Sequence, residues 1–309
     1  MKRYLVPTLL LFVATTAFGQ RETQTPNSHM KADPPALGLH WAKGAAGRPA
    51  RPSSNPNLTS HGGPVMNNVT VQPIFWGTSW SSYSGDEMTG IDKFYAGISG
   101  TEYARTSDEY TGPGQSNSAG TISSSAHLVD TSKASGGGQT SAILAEVCKA
   151  LSANNITPRT DGYYPVYTDL PRGHAQYCAW HSWGACGGTN VQFAFFWKLD
   201  GDAGCDPNST VSGQSEGLAA SANVSGHELS EARTDPRGTG WYDSSGAENA
   251  DKCAWHFGTS SVSFKNGSSW KIQGNWSNWA YNNSQGYADA SGHLGCLDGG
   301  NYKLSNIFP

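Results

Sequence analysis

The chain has 309 residues, 20 Lys plus Arg against 24 Asp plus Glu, and a formal net charge of −4. So sparse and slightly acidic a charge pattern excludes a nucleic-acid or anionic-lipid surface. The 10 Phe, 11 Trp and 13 Tyr exclude a disordered chain and, beside 38 Gly, suit a loop-rich fold with an aromatic core.

Residues 1–19 read as an export signal. Lys2 and Arg3 give a positive start, an apolar run follows from Leu5 to Phe18, and Ala17-Phe18-Gly19 offers small residues for cleavage before Gln20. No other stretch approaches the roughly 18 apolar residues that a membrane helix needs. The expectation is a secreted or periplasmic protein without a membrane span. Cys148, Cys178, Cys186, Cys205, Cys253 and Cys296 form an even set in an exported chain, which predicts three disulfides of undetermined pairing. None shows the CxxC spacing of a thiolate metal site.

Residues 20–60 carry Pro26, Pro34, Pro35, Pro49, Pro52 and Pro56 with few large apolar side chains. They read as an extended linker or pro-segment, ahead of a single domain over 61–309. The run 69–76 is β-branched and aromatic, a first core strand. Ile91, Phe94, Tyr95 and Ile98 recur at helical spacing within 86–98. A second strand is read in 121–129, then a helix carrying Ile143, Leu144, Val147, Cys148 and Leu151 that ends near Asn154-Asn155. Residues 163–168 and 191–199 read as strands, the latter alternating Phe193, Phe195 and Trp197 with Gln192, Ala194 and Phe196. A helix follows over about 214–235. Beyond Asp251 the pattern turns irregular and Trp-rich, with Trp255, Trp270, Trp276 and Trp279 among short strands and loops, and Cys253 and Cys296 as candidates to close it. This order predicts an α/β (or α+β) domain with a central sheet and one motif-bearing helix.

That helix holds His227-Glu228-Leu229-Ser230-Glu231. At about 100° per residue, Leu218, Ala222, Leu229 and Ala232 share one face, while His227 and Glu231 share roughly the opposite one. The expectation is one face in the core and one toward a cleft. Pro236 stops the helix, and the chain returns through Gly238 and Gly240 to Glu248 and Asp251. An imidazole and carboxylates so spaced can hold a divalent metal and leave a position for water. The metal residues are then His227, Glu231, Glu248 and Asp251, and Glu228 is the base that takes a proton from the water. Zinc is expected, although a carboxylate-rich set also suits calcium or manganese. A shared cation requires a Glu248 or Asp251 carboxyl within about 5 Å of a His227 nitrogen. The alternative is a solvated polar helix face, with Asp235 capping the next turn. His174 and His181, flanking Cys178, read first as aromatic packing and only second as part of the cleft.

The segments His61-Gly62-Gly63-Pro64-Val65, 173–188, Phe193-Ala194-Phe195-Phe196-Trp197, Cys205 and Thr234-Asp235-Pro236 together resemble the phosphate-induced protein 1, or EXORDIUM-like, family. That family is extracellular, and its plant members are associated with growth and cell-wall signalling. The stretch 227–235 is similar to the metal helix of thermolysin-like zincins, and 245–250 to the stretch that delivers their third ligand. This second resemblance implies His227 as a ligand, Glu228 as base and Glu248 or Asp251 as the distal ligand. Glu231 departs from it, standing where the second histidine of HExxH belongs. The two resemblances imply different functions: a secreted zincin-like hydrolase acting on peptides, or a non-catalytic module whose many Trp and Tyr stack on cell-wall polysaccharide.

Overall fold

Proline at position 73 shapes the start of the domain. In the computed structural model, which describes residues 35–45, 55–135, 139–208, 210, 211 and 213–305, the expected strand 69–76 is two strands separated by Gln72-Pro73. Proline has no N–H for a sheet ladder, and the run breaks there. The strands so far are β1 Leu37–Trp41, β2 Thr59–Ser60, β3 Asn68–Val71 and β4 Ile74–Trp76. Then come α1 Glu87–Ile98, α2 Glu102–Arg105, β5 Thr121–Ser124, β6 Leu128–Asp130, α3 Thr140–Ala153, β7 Gly162–Pro171, β8 Tyr177–Cys186, β9 Thr189–Lys198 and α4 Glu216–Thr234. The remainder holds β10 Trp241–Tyr242, β11 Val262–Ser263, β12 Ser269–Trp270, β13 Asn275–Trp276, α5 Asn278–Asn282, β14 Tyr287–Ala288 and β15 Leu294–Leu297. The expected export signal lies outside the described residues.

The fold is α/β with a central mixed sheet in the order β1-β8-β9-β7-β3-β5, with β4 beside β7 and β6 beside β4. β7 runs parallel to β3, β4 and β9, while β8 is antiparallel to both β9 and β1. The alternation read in 191–199 separates two faces. Phe193 and Phe195 pack with Trp180 and with Ile143 and Val147 of α3. Ala194 and Phe196 pack with Tyr163, Tyr167 and Ala179, with Ile91 and Phe94 of α1, and with Leu218 and Leu229 of α4. Each such large apolar side chain, fully buried, contributes roughly 1.5–3 kcal/mol. The sheet is thus sandwiched by α3 on one face and by α1 and α4 on the other.

The three disulfides are Cys148–Cys186, joining α3 to β8, Cys178–Cys205, and Cys253–Cys296, which closes the Trp-rich end. Two segments differ from expectation. β8, with Cys178, His181 and Cys186, forms a full strand between two of the sheet's other members. Residues 37–41, inside the expected linker, form β1 at the sheet edge, so the boundary at 61 leaves out a strand of the sheet.

α4 also differs from its expected amphipathic form. Ser215 caps it by accepting the Leu218 N–H at 3.1 Å, and Asp235 Oδ1 accepts the N–H groups of Thr239 and Gly240 after it, each at 2.7 Å. Yet every residue from Gly217 to Thr234 is buried. The sheet lies beneath the helix, α1 beside it and the Trp-rich segment over it, so its polar face looks into protein. Small residues permit this enclosure: a Cβ on Gly226 would stand 2.6 Å from the Tyr103 hydroxyl oxygen.

Candidate metal centre

α4 brings His227, Glu228 and Glu231 to one level. One helical turn apart, His227 Nε2 stands 3.1 Å from Glu231 Oε1. Asp251 opens a single 3-10 turn, Asp251–Cys253. Its Oδ1 lies 3.7 Å from His227 Nε2, inside the distance required of a shared cation. Its backbone N–H donates to Glu231 Oε1 at 2.9 Å.

Glu248 goes elsewhere. Asp251 Oδ2 accepts the Glu248 N–H at 3.2 Å, and the Glu248 side chain meets His181, with Oε2 3.4 Å from Nε2. The expected convergence of both acids on His227 holds for Asp251; Glu248 faces a second imidazole. His181 itself was expected in aromatic packing. On β8 it follows Ala179 by two residues, so strand alternation turns both toward α4. Its Nε2 lies 3.9 Å from Glu231 Oε2. Glu231 therefore presents one oxygen to each of two histidines. Two overlapping triads result, His227–Glu231–Asp251 and His181–Glu228–Glu231, each with its potential ligand atoms within 4.8 Å of one another. The sequence carried little sign of His181: residues 178–182 are buried in succession, so 177–186 lacks the alternation that marks a half-buried strand. His174 is exposed in the loop before β8 and takes no part.

His40 of β1 is a further histidine that the linker reading hid. Its ring stacks on His227 with centroids 4.0 Å apart and planes 1° from parallel, and Trp255 stacks on His40 at 4.6 Å. The His40 backbone N–H faces the Glu228 carboxyl without closing a hydrogen bond to it. On the remaining edge of His227, the Gln273 amide nitrogen is 3.0 Å from Nδ1 and donates to Ala250 O at 3.0 Å, while the Gln273 carbonyl accepts the Trp255 N–H at 3.1 Å. This network makes Nδ1 an acceptor and places the imidazole proton on Nε2, toward Glu231. A cation at Nε2 would replace that proton and would require Gln273 to turn its carbonyl to Nδ1.

The cluster is buried: His181, His227, Glu228 and Glu231 are each 0% exposed. Burial, reinforced by the neighbouring carboxyls, lifts Glu228 and Glu248 well above the usual carboxylate range. Burial does the same to Glu231, against the lowering pull of the Asp251 N–H. Burial, with His227 beside it, lowers His181 to about 3. Among the described residues no lysine or arginine ion-pairs with Glu228, Glu231 or Glu248; histidines alone approach the latter two. The buried atoms His181 Nε2, Glu231 Oε2 and Glu248 Oε2 make no hydrogen bond. Acids without positive charge keep their protons, and a divalent cation reverses that balance. Neutral imidazole and carboxylate oxygen are donors that Zn²⁺ and Mn²⁺ accept, while the two imidazoles suit Ca²⁺ less well. The residues fit such an ion.

No family model, curated protein or solved structure matches this chain.

Proposed function

We propose that this protein is a secreted, metal-dependent hydrolase acting on peptide bonds. The observation that carries the reading is Glu231 offering its two oxygens to two buried imidazoles, with Glu228 adjacent and, among the described residues, no lysine or arginine paired to either acid. His227, Glu231 and Asp251 would hold the ion, zinc in the first instance, with His181 and Glu248 completing the other side. A bound cation would acidify a water and polarise a carbonyl. Glu228, one residue from the first ligand, would take the water's proton. The disulfides support an oxidising, extracellular compartment, and among the described residues no helix is long and apolar enough to cross a membrane.

The thermolysin-like resemblance supports this reading at His227 and Glu228, and at Asp251 as distal ligand. At Glu231, where the resemblance departs, His181 would bring a second imidazole from a strand, its Nε2 3.9 Å from Glu231 Oε2. The polysaccharide alternative draws less support from the aromatic side chains, although Trp41, Trp183, Trp197, Trp241 and Trp255 are half-buried. Trp180, Trp270 and Trp276 are fully buried, and Trp279 is the sole Trp among the exposed large hydrophobic residues described.

The test is elemental analysis of purified protein together with a broad peptide-cleavage screen. About one or more equivalents of a divalent metal, and cleavage abolished by chelation, are expected. Less than one-tenth of an equivalent, with a melting temperature indifferent to chelator, would sink the proposal.

A further inference from the structure

A cluster that is 0% exposed at His181, His227, Glu228 and Glu231 admits no polymer substrate. An element covering it must therefore leave before it can act, and β1 covers it at three points. Gly38 lies directly over the second imidazole: a Cβ built on it would stand 2.1 Å from Glu231 Oε2 and 2.5 Å from His181 Nε2. Both are far shorter than any van der Waals contact, so the Gly38 backbone is packed directly against these two side chains. The His40 backbone N–H approaches the Glu228 carboxyl, the proposed base, without closing a hydrogen bond to it. The His40 ring covers the face of His227.

The attachment of β1 is that of a removable element. It is an edge strand, bound on one side only, by β8. Its register is interrupted between Leu37 and His40, where Leu37 pairs with His181 and His40 with Ala179. Gly38, at φ +43°, lies in that interruption, so the ladder is weakest where the strand crosses the cluster. The firmer attachments lie to either side. Ser182 Oγ donates to Pro35 O at 2.5 Å, Trp255 Nε1 to Trp41 O at 2.8 Å, and Lys43 Nζ to Asp206 O at 2.6 Å. Losing β1 leaves the β8–β9 pairing intact.

We infer that Leu37–Trp41 is an intramolecular inhibitory strand, and that release of this segment from the edge of β8 opens the His–carboxylate cluster to substrate. The inference rests on the hydrolase reading above, but its cover can be tested without it.

The experiment compares the full chain with Gly38→Ala, whose methyl group cannot coexist with Glu231 and His181 in the present position, and with His40→Ala, which removes the stacked ring and leaves the backbone. Protection of β7 and β9 amides against hydrogen exchange certifies the fold of each variant. The first readout is acylation of His181 and His227 by diethylpyrocarbonate, followed by peptide mass mapping. At least a tenfold faster reaction is expected in Gly38→Ala. Added synthetic peptide of residues 35–45 should slow it again. The second readout is peptide cleavage with Zn²⁺ or Mn²⁺ supplied, expected to rise at least tenfold. Equal acylation rates in folded wild type and variants overturn the cover. Faster acylation with wild-type metal content and no gain in cleavage overturns the inhibition and makes β1 a packing strand. Loss of metal in His40→Ala also overturns it, because His40 is then a ligand. Absence of metal from every form strikes the hydrolase reading instead, and with it any inhibitory role, while the acylation rates still report the cover.

Discussion

His181 Nε2 and Glu231 Oε2 lie 3.9 Å apart, on a strand and a helix that meet only in the folded protein. The gap is too long for a hydrogen bond. Tetrahedral metal–ligand bonds near 2 Å place neighbouring donors roughly 3.3 Å apart, so an ion bound by both would draw them together by about half an ångström. His181→Ala should therefore weaken metal binding about tenfold to a hundredfold, the scale expected when part of a metal's immediate surroundings is removed. Glu231→Gln should abolish it, because both histidines lose their shared carboxylate. Competition against a fluorescent chelator measures both. Wild-type affinity in His181→Ala would return His181 to the role of a packing residue.

Glu228→Gln separates chemistry from binding. The amide keeps the size of the side chain but cannot accept a proton from water. Metal content should stay at the wild-type level, while kcat falls about a hundredfold to ten-thousandfold, the usual contribution of a general base. Full residual activity in the variant would remove Glu228 from the mechanism.

Glu146 gives the fold a pH dependence away from the cluster. Burial pushes its carboxyl up to about 7, against the ammonium of Lys149, whose Nζ is 2.7 Å from Glu146 Oε2 and 2.7 Å from Asp130 Oδ2. The ordinary value is 4.5. Between these two values the folded chain holds a proton that the unfolded chain releases, so stability falls as pH rises through that window. Urea unfolding from pH 5 to pH 8 should show this loss, on the order of 1–3 kcal/mol from this residue. The difference in stability between wild type and Glu146→Gln should shift by that amount across the window. A difference that stays constant with pH would show the carboxyl to be ionised throughout.

Arg233 tests the packing around α4. Its guanidinium donates to Ala104 O at 2.6 Å and pairs with Asp108 Oδ1 at 2.5 Å, both side chains being buried. Arg233→Met leaves Asp108 without that partner and should cost about 3–5 kcal/mol. Asp108→Asn in the same chain should recover part of the loss, since the remaining group is then neutral. Equal instability of the single and double variants would point to lost packing as the cause.

Much of the fold was legible along the chain, because its signals are local. The spacing of Ile91, Phe94, Tyr95 and Ile98 buries one face of α1, and the alternation in β9 separates the two faces of the sheet. Ser215 and Pro236 bound α4 where the motif helix was expected. The site was legible in the half that shares a helix: His227 and Glu231 one turn apart, Glu228 between them, Asp251 just beyond. His181 and His40 were not, because each lies on a strand remote in sequence, and a lone histidine in an aromatic or proline-rich stretch carries no local sign of its neighbours.

The order of residues by itself determined the helix period, the turn at Pro236, the even set of cysteines and the run of acids after His227. All follow from backbone geometry and side-chain chemistry within a few residues. Only the tertiary structure decided which cysteines pair, that α4 is enclosed on every side, that Glu248 turns to His181 while Asp251 turns to His227, and that β1 lies across them. Those outcomes depend on strand order and on the alternation of β8. They arise when the sheet assembles and brings distant segments within a few ångströms, a contact that no local periodicity encodes.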